Sequence, residues 1–310
     1  MSNLFHSALI LLGMLTLLSF SSWLILGANG MIWAFILGLP GLLLSPHISA
    51  GAMLRLHRAR SLTRQEFSSL HSALDELAQR AELPSIPKLY YVPSSTPNAF
   101  AVGGKESAAV ALTDGLLGTL NLRELIGILA HEVSHIRHND IWIMGLADVV
   151  SRITSAFSIA GQLLLFINLP LLLFGGQTIS WLFIIILILA PTLSTLMQLA
   201  LLRTREFDAD LDAAALSSDP VGLASALKKI ERSKGGFWEG FFLPGRREKP
   251  YSILRTHPET EERVRRLLSL VERPRTRGPM HTLFGEGVFA MPSRFHRVAH
   301  SPQWHLGGKW

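Results

Sequence analysis

Residues 130–138 read Ala130-His131-Glu132-Val133-Ser134-His135-Ile136-Arg137-His138, an H-E-x-x-H pattern inside a segment whose apolar residues recur at helical spacing. On a helix, residues four apart project from one face, so His131 and His135 can both reach one tetrahedral metal ion at about 2.0–2.1 Å. Glu132 lies beside them, placed to take a proton from water whose pKa a zinc ion lowers toward roughly 7. This spacing points to hydrolysis of peptide bonds. With 12 His in 310 residues, the pattern arises by chance in about one such chain in fifty, so its surroundings have to carry the assignment.

Those surroundings are well formed for a helix. Asn121 is placed to cap it, Glu124 stands at the third helical position as in a capping box, and Leu122, Leu125, Ile126, Leu129 and Val133 form one apolar stripe. A core helix with two hydrogen-bonded histidines is the competing reading. It is disfavoured because a Glu beside paired His on an apolar helix is costly to bury without a metal.

Composition bounds the remainder. A hydrophobic share of 48%, a charged share of 17% and a mean hydropathy of +0.32 are too apolar for an ordinary soluble enzyme, and the apolar residues come in blocks, so membrane spans are expected. There is no Cys, so a transition metal must be held by His and carboxylate.

Residues 8–27 are a charge-free run of spanning length. No Lys or Arg stands among residues 1–6, which marks an anchor rather than a cleaved leader. After an uncharged turn at residues 28–30, residues 31–52 form a second span interrupted by Pro40, Gly41 and Pro46. Arg55, Arg58, Arg60 and Arg64 follow, and the positive-inside rule puts them, the N-terminus and all that comes after in the cytoplasm. These arginines and the net charge of +6 suit anionic lipid headgroups, and no nucleic acid partner is called for.

Residues 62–82 have helical periodicity and are stopped by Leu83-Pro84. Residues 88–92, 98–102 and 108–112 read as three short strands of a small sheet, and the strand just upstream of the metal helix is placed to receive an extended substrate as an added strand. A plain structural hairpin is the alternative. Asp148 and Arg152 can pair ahead of a third span at residues 153–174. A fourth follows at residues 181–202, with Arg203 and Arg205 on the cytoplasmic side.

The expected architecture is thus an α+β membrane protein. A first hairpin occupies residues 1–54, a cytoplasmic catalytic part with the metal helix 55–152, and a second hairpin 153–202. A second catalytic part occupies 203–272 and a basic tail 273–310. A loop at residues 228–250 carries Phe237, Trp238, Phe241 and Phe242, suited to the headgroup layer or to a satellite core. In the tail, His281, His296, His300 and His305 lack paired metal spacing.

Two His ligands need a third, with the fourth position left to water. Glu206, in the segment Arg-Thr-Arg-Glu-Phe-Asp-Ala-Asp (203–210), is chosen, as the start of a helix running through Asp212. Asp210 lies one turn on, suited to a hydrogen bond to a ligand imidazole. Asp208 and Asp210 remain chemically possible ligands.

The order of PNAFAVGG (97–104), HEVSH, a hydrophobic hairpin, REFDAD and THPETEER (256–263) resembles the HtpX group of integral-membrane zinc endopeptidases, relatives of the CAAX prenyl endopeptidases. The resemblance covers most of the chain. It implies a gluzincin core with Zn2+ held by His131, His135 and Glu206, and Glu132 as general base. It further implies Asn98 in a substrate-facing strand, Asp210 supporting a ligand, and His257 with Arg263 stabilising the tetrahedral intermediate. A His and an Arg can donate to an oxyanion, although the Thr-His-Pro turn can equally cap a helix. The role it implies is quality control of misfolded or damaged membrane proteins in the bacterial inner membrane. The competing class is a catalytically silent membrane scaffold that binds client proteins; the presence of base and ligands together argues against it.

Overall fold

The computed structural model describes residues 2–27, 29, 32, 51–176, 179–233 and 260–271. His257, nearly all of the second expected span, the aromatic loop from residue 234 on and the tail from residue 272 lie outside them.

A small mixed sheet supports the metal helix. Four strands, β1 (Arg60–Ser61), β2 (Lys88–Val92), β3 (Ala99–Val102) and β4 (Ala109–Thr113), lie in the order β1-β2-β4-β3. β4 is buried along its whole length, with β2 parallel on one side and β3 antiparallel on the other. The β3–β4 hairpin turns at Gly103, whose φ of 87° suits glycine and where a Cβ would stand 2.7 Å from the Ser107 carbonyl oxygen. The strand immediately upstream of the metal helix is therefore interior to the sheet. The edge strands are β1 and β3, and β3 begins one residue after Asn98.

The helix expected over residues 62–82 is shorter, α2 (Ser68–Arg80). Its first residues are taken by other bonds. β1 pairs with Tyr90 and Tyr91, Leu62 N–H donates to the Leu89 carbonyl, and the Glu66 carboxylate accepts from Thr63 N–H at 3.1 Å.

A short helix α3 (Asp114–Thr119) leads to α4 (Leu122–Arg137), which carries the H-E-x-x-H residues. Asn121 caps α4 and Glu124 completes the capping box, as expected. The apolar stripe of α4 joins Leu74, Leu77, Val110, Leu112 and Leu223 in the core of the non-membrane part.

Among the described residues, three helices are long and apolar enough to cross a membrane: α1 (Ser2–Leu26), α5 (Asp140–Leu173) and α6 (Trp181–Ser217). They pack on one another through Met14, Leu18, Ala147, Val150 and Leu201. Elsewhere they present large apolar side chains outward, among them Leu9, Phe166, Leu172, Leu182 and Leu189, as lipid-facing surfaces do. Three of the four expected spans thus stand among the described residues. The Asp148–Arg152 pair forms at 2.7 Å.

Two helix boundaries differ from expectation. α5 begins at Asp140, well before residue 153, with only His138 and Asn139 between it and α4. α6 does not break at Arg203; it continues to Ser217 because nothing from residue 203 to 217 is Gly or Pro, and it stops where Ser218 takes a φ of 55° ahead of Pro220. Glu206 is therefore on the same helix as the fourth span. Two further helices, α7 (Pro220–Ser233) and α8 (Thr260–Leu268), close over α4 and α6.

Candidate metal centre

α4 and α6 bring three side chains to one point. The Nε2 atoms of His131 and His135 are 3.1 Å apart. Glu206 faces both, with Oε2 3.4 Å from His131 Nε2 and Oε1 3.5 Å from His135 Nε2. One ligand atom from each lies within 4.8 Å of the other two, and all three side chains are buried.

Each imidazole is held from behind. His131 Nδ1 lies 3.1 Å from Asp210 Oδ1, and His135 Nδ1 lies 2.8 Å from Asp140 Oδ2. The hydrogen bond from His135 Nδ1 to Asp140 makes that nitrogen a donor and turns Nε2 toward the centre, whereas His131 Nδ1 is within ion-pair range of Asp210 without hydrogen-bond geometry. Two ring nitrogens and a carboxylate then converge on one point, where positive charge has to come either from protons on the imidazoles or from a metal cation between them.

The charges point the same way. Around the centre, four buried carboxylates (Glu132, Asp140, Glu206, Asp210) meet two buried guanidiniums, Arg205 and Arg263. Two formal negative charges remain, the complement of one divalent cation. Burial opposes charging His135, but the Asp140 and Glu206 carboxylates outweigh it and push its pKa up to about 10. His131 is shifted upward in the same way: burial is outweighed by Asp210 and Glu206. The site attracts positive charge, and nitrogen with carboxylate oxygen is a donor set that zinc accepts.

Glu132 is buried on α4 beside the two histidines, at 9% exposure. Asp210 lies behind His131, at 3.1 Å from its Nδ1. Arg263, on α8, is buried: Nε and Nη2 each donate to Asp210 at 2.7 Å, and Nη1 lies 3.2 Å from Glu206 Oε2. Asp208 lies off the cluster, 3.8 Å from Arg205 Nη1. Asn98 exchanges backbone hydrogen bonds with Thr113 and its hydroxyl, and its Oδ1 is buried with no hydrogen-bond partner among the described residues.

Two residues escaped sequence reasoning. Asp140 stands five positions after His135, a spacing outside the H-E-x-x-H pattern. Arg205 was read as a topology charge, yet it is 1% exposed and donates through Nε to Asp140 at 2.6 Å and through Nη2 to the same oxygen. The available signal was its position directly before Glu206.

The profile of Peptidase family M48 matches residues 64–271. A protease HtpX homologue of Salinibacter ruber (strain DSM 13855 / M31) is 32% identical over 288 residues, covering 87% of this chain and 99% of the relative. A protease HtpX homologue of Pyrococcus abyssi (strain GE5 / Orsay) is 37% identical over 272 residues, covering 79% and 88%. Among solved structures, the crystal structure of S. mikatae Ste24p has a TM-score of 0.46 at 21% identity, over 84% of this chain and 62% of that one.

Proposed function

This chain belongs to peptidase family M48 and is a multi-pass membrane metallopeptidase, and we propose that it is a zinc endopeptidase acting on unfolded or damaged membrane proteins at the cytoplasmic face of the bacterial inner membrane. The observation that carries the reading is the convergence of His131 Nε2, His135 Nε2 and the Glu206 carboxylate, each braced by a partner behind it.

His131, His135 and Glu206 would hold the zinc. When bound, zinc supplies a Lewis acid that polarises the scissile carbonyl and makes water more acidic. Glu132 takes the proton from the attacking water and passes it to the leaving nitrogen, a role its place beside the ligands allows without spending it on the metal. The substrate lies extended along the edge strand β3, adding backbone hydrogen bonds to the sheet, with Asn98 just ahead of its start. His257 and Arg263 stabilise the tetrahedral intermediate in the family pattern. The contacts of Arg263 support an additional task, holding Asp210 and Glu206 in place.

Location follows from the helices. Glu206 lies on α6 four residues beyond the apolar stretch ending at Leu202, about 6 Å at 1.5 Å per residue. His135 is five residues before the start of α5. Both halves of the centre are tethered close to lipid, which favours substrates with an extended segment next to a membrane anchor.

Glu132→Gln tests the assignment: it should keep zinc and lose turnover by roughly 10²–10⁴-fold, since an amide leaves the metal site alone and removes proton transfer. Cleavage of an unfolded membrane protein by purified protein in detergent, read beside zinc content, gives both numbers. Wild-type turnover in Glu132→Gln would remove the base from the account.

A further inference from the structure

The support behind His131 is part of the family resemblance; the support behind His135 is not. Asp140 uses one oxygen for His135 Nδ1 and the other for Arg205 Nε and Nη2. All three residues are at least nine-tenths buried, at 6%, 1% and 1% exposure for His135, Asp140 and Arg205. Asp140 is the first residue of α5, and Arg205 is on α6 immediately before Glu206.

We propose that Asp140 and Arg205 are a positioning pair that fastens the α5–α6 membrane hairpin to the metal centre through His135. The inference rests on the reading of His135 as a metal ligand. A carboxylate at Nδ1 fixes the tautomer and ring orientation of a ligand imidazole and makes its Nε2 more basic. Asp140 alone would be an expensive buried charge. Arg205 supplies the opposite charge and, through two nitrogens, holds the carboxylate in a single orientation. Because Arg205 adjoins Glu206, the chain His135–Asp140–Arg205 couples the ligand helix α4 to the ligand helix α6 through the first residue of α5. A shift of the hairpin then disturbs His135 and Glu206 together, so the hairpin helps to assemble the centre as well as to anchor it.

Another ion pair offers a control. Arg137 and Asp212, 2.8 Å apart, also join α4 to α6, but neither touches a metal-facing imidazole. The experiment measures zinc dissociation constants by chelator competition in purified full-length protein, with cobalt-substituted protein giving the ligand-field bands. Asp140→Asn and Arg205→Met should weaken zinc about 10–100-fold and shift the cobalt bands. Arg205→Lys, which keeps a cation beside Asp140, should recover part of the loss and stands in if Arg205→Met fails to fold. Arg137→Ala should leave the bands unchanged and zinc affinity within about twofold, the effect of an ion pair remote from the ligands.

His135→Ala separates the two levels of the argument. If it keeps zinc, the ligand reading fails and the inference with it. If it loses zinc while Asp140→Asn and Arg205→Met bind zinc like the wild type, the pair does not position the ligand and only this inference falls. Equal zinc loss in Arg137→Ala would reduce the pair to general helix bracing and overturn it as well.

Discussion

Arg263 presents three nitrogens to two carboxylates, Asp210 and Glu206, in an environment only 3% exposed. Burial opposes its charge, but Asp210, Glu206 and Glu132 keep its pKa above the usual guanidinium value. Removing it would leave two buried carboxylates uncompensated, a loss of about 3–5 kcal/mol. Arg263→Ala should therefore lower the unfolding temperature and the zinc content together, and Arg263→Lys should retain part of both; calorimetry and metal analysis check this. Undiminished zinc and stability in Arg263→Ala would leave it no task beyond the intermediate. At this scale the sequence reveals what is local. His131, Glu132 and His135 share a turn of one helix, and Asp210 lies one turn from Glu206. Asp140 and Arg205 meet across 65 residues, and no spacing rule joins an aspartate after one helix to an arginine on another.

Gly127 is where element packing reaches the centre. On α4, on the far side from solvent, a Cβ at this position would stand 3.0 Å from both Leu223 Cα and Leu223 N on α7. Helix propensity alone would favour alanine by about 1 kcal/mol. Overpacking costs about 1–3 kcal/mol and should prevail, so Gly127→Ala is expected to unfold at lower temperature than the wild type, and Gly127→Val lower still. A thermal unfolding series measures this, and a stabilised Gly127→Ala would mean that α4 and α7 separate freely. The helical and strand segments were largely legible, because β2, β3 and β4 lie within a residue of their expected places and α4 has its cap. Strand order was not: β4 is interior and β1 and β3 are the edges, which depends on pairing with β2 from earlier in the chain. The length of α6 was hidden by reading a run of charge as a helix start, when charge alone does not end a helix.

The whole molecule is a small catalytic body mounted on membrane helices that run directly into it. Two of the apolar helices lead to the metal centre: α5 starts at Asp140, which bonds His135, and α6 carries Glu206 itself. Reporters fused in the α5–α6 turn should read periplasmic and those after Arg64 cytoplasmic, given the exposed Arg55, Arg58, Arg60 and Arg64; a cytoplasmic reading in that turn would mean the hairpin does not span. A cleavable peptide moved stepwise away from a model transmembrane anchor in liposomes should be cut more slowly with distance, and a flat profile would remove the membrane from substrate selection. Hydrophobic blocks made this organisation legible from composition alone. What they could not show is that Arg205, at the end of such a block, turns inward to Asp140 instead of outward to headgroups.

Glu206 closes a metal site begun by two histidines some seventy residues earlier, and the whole centre depends on it. Zinc bound per chain, measured in purified wild type, Glu206→Ala and Asp208→Ala, tests this most directly. One zinc per chain in the wild type and in Asp208→Ala, with stoichiometric zinc lost in Glu206→Ala, is the predicted result. Full zinc in Glu206→Ala would contradict it and move the third ligand elsewhere.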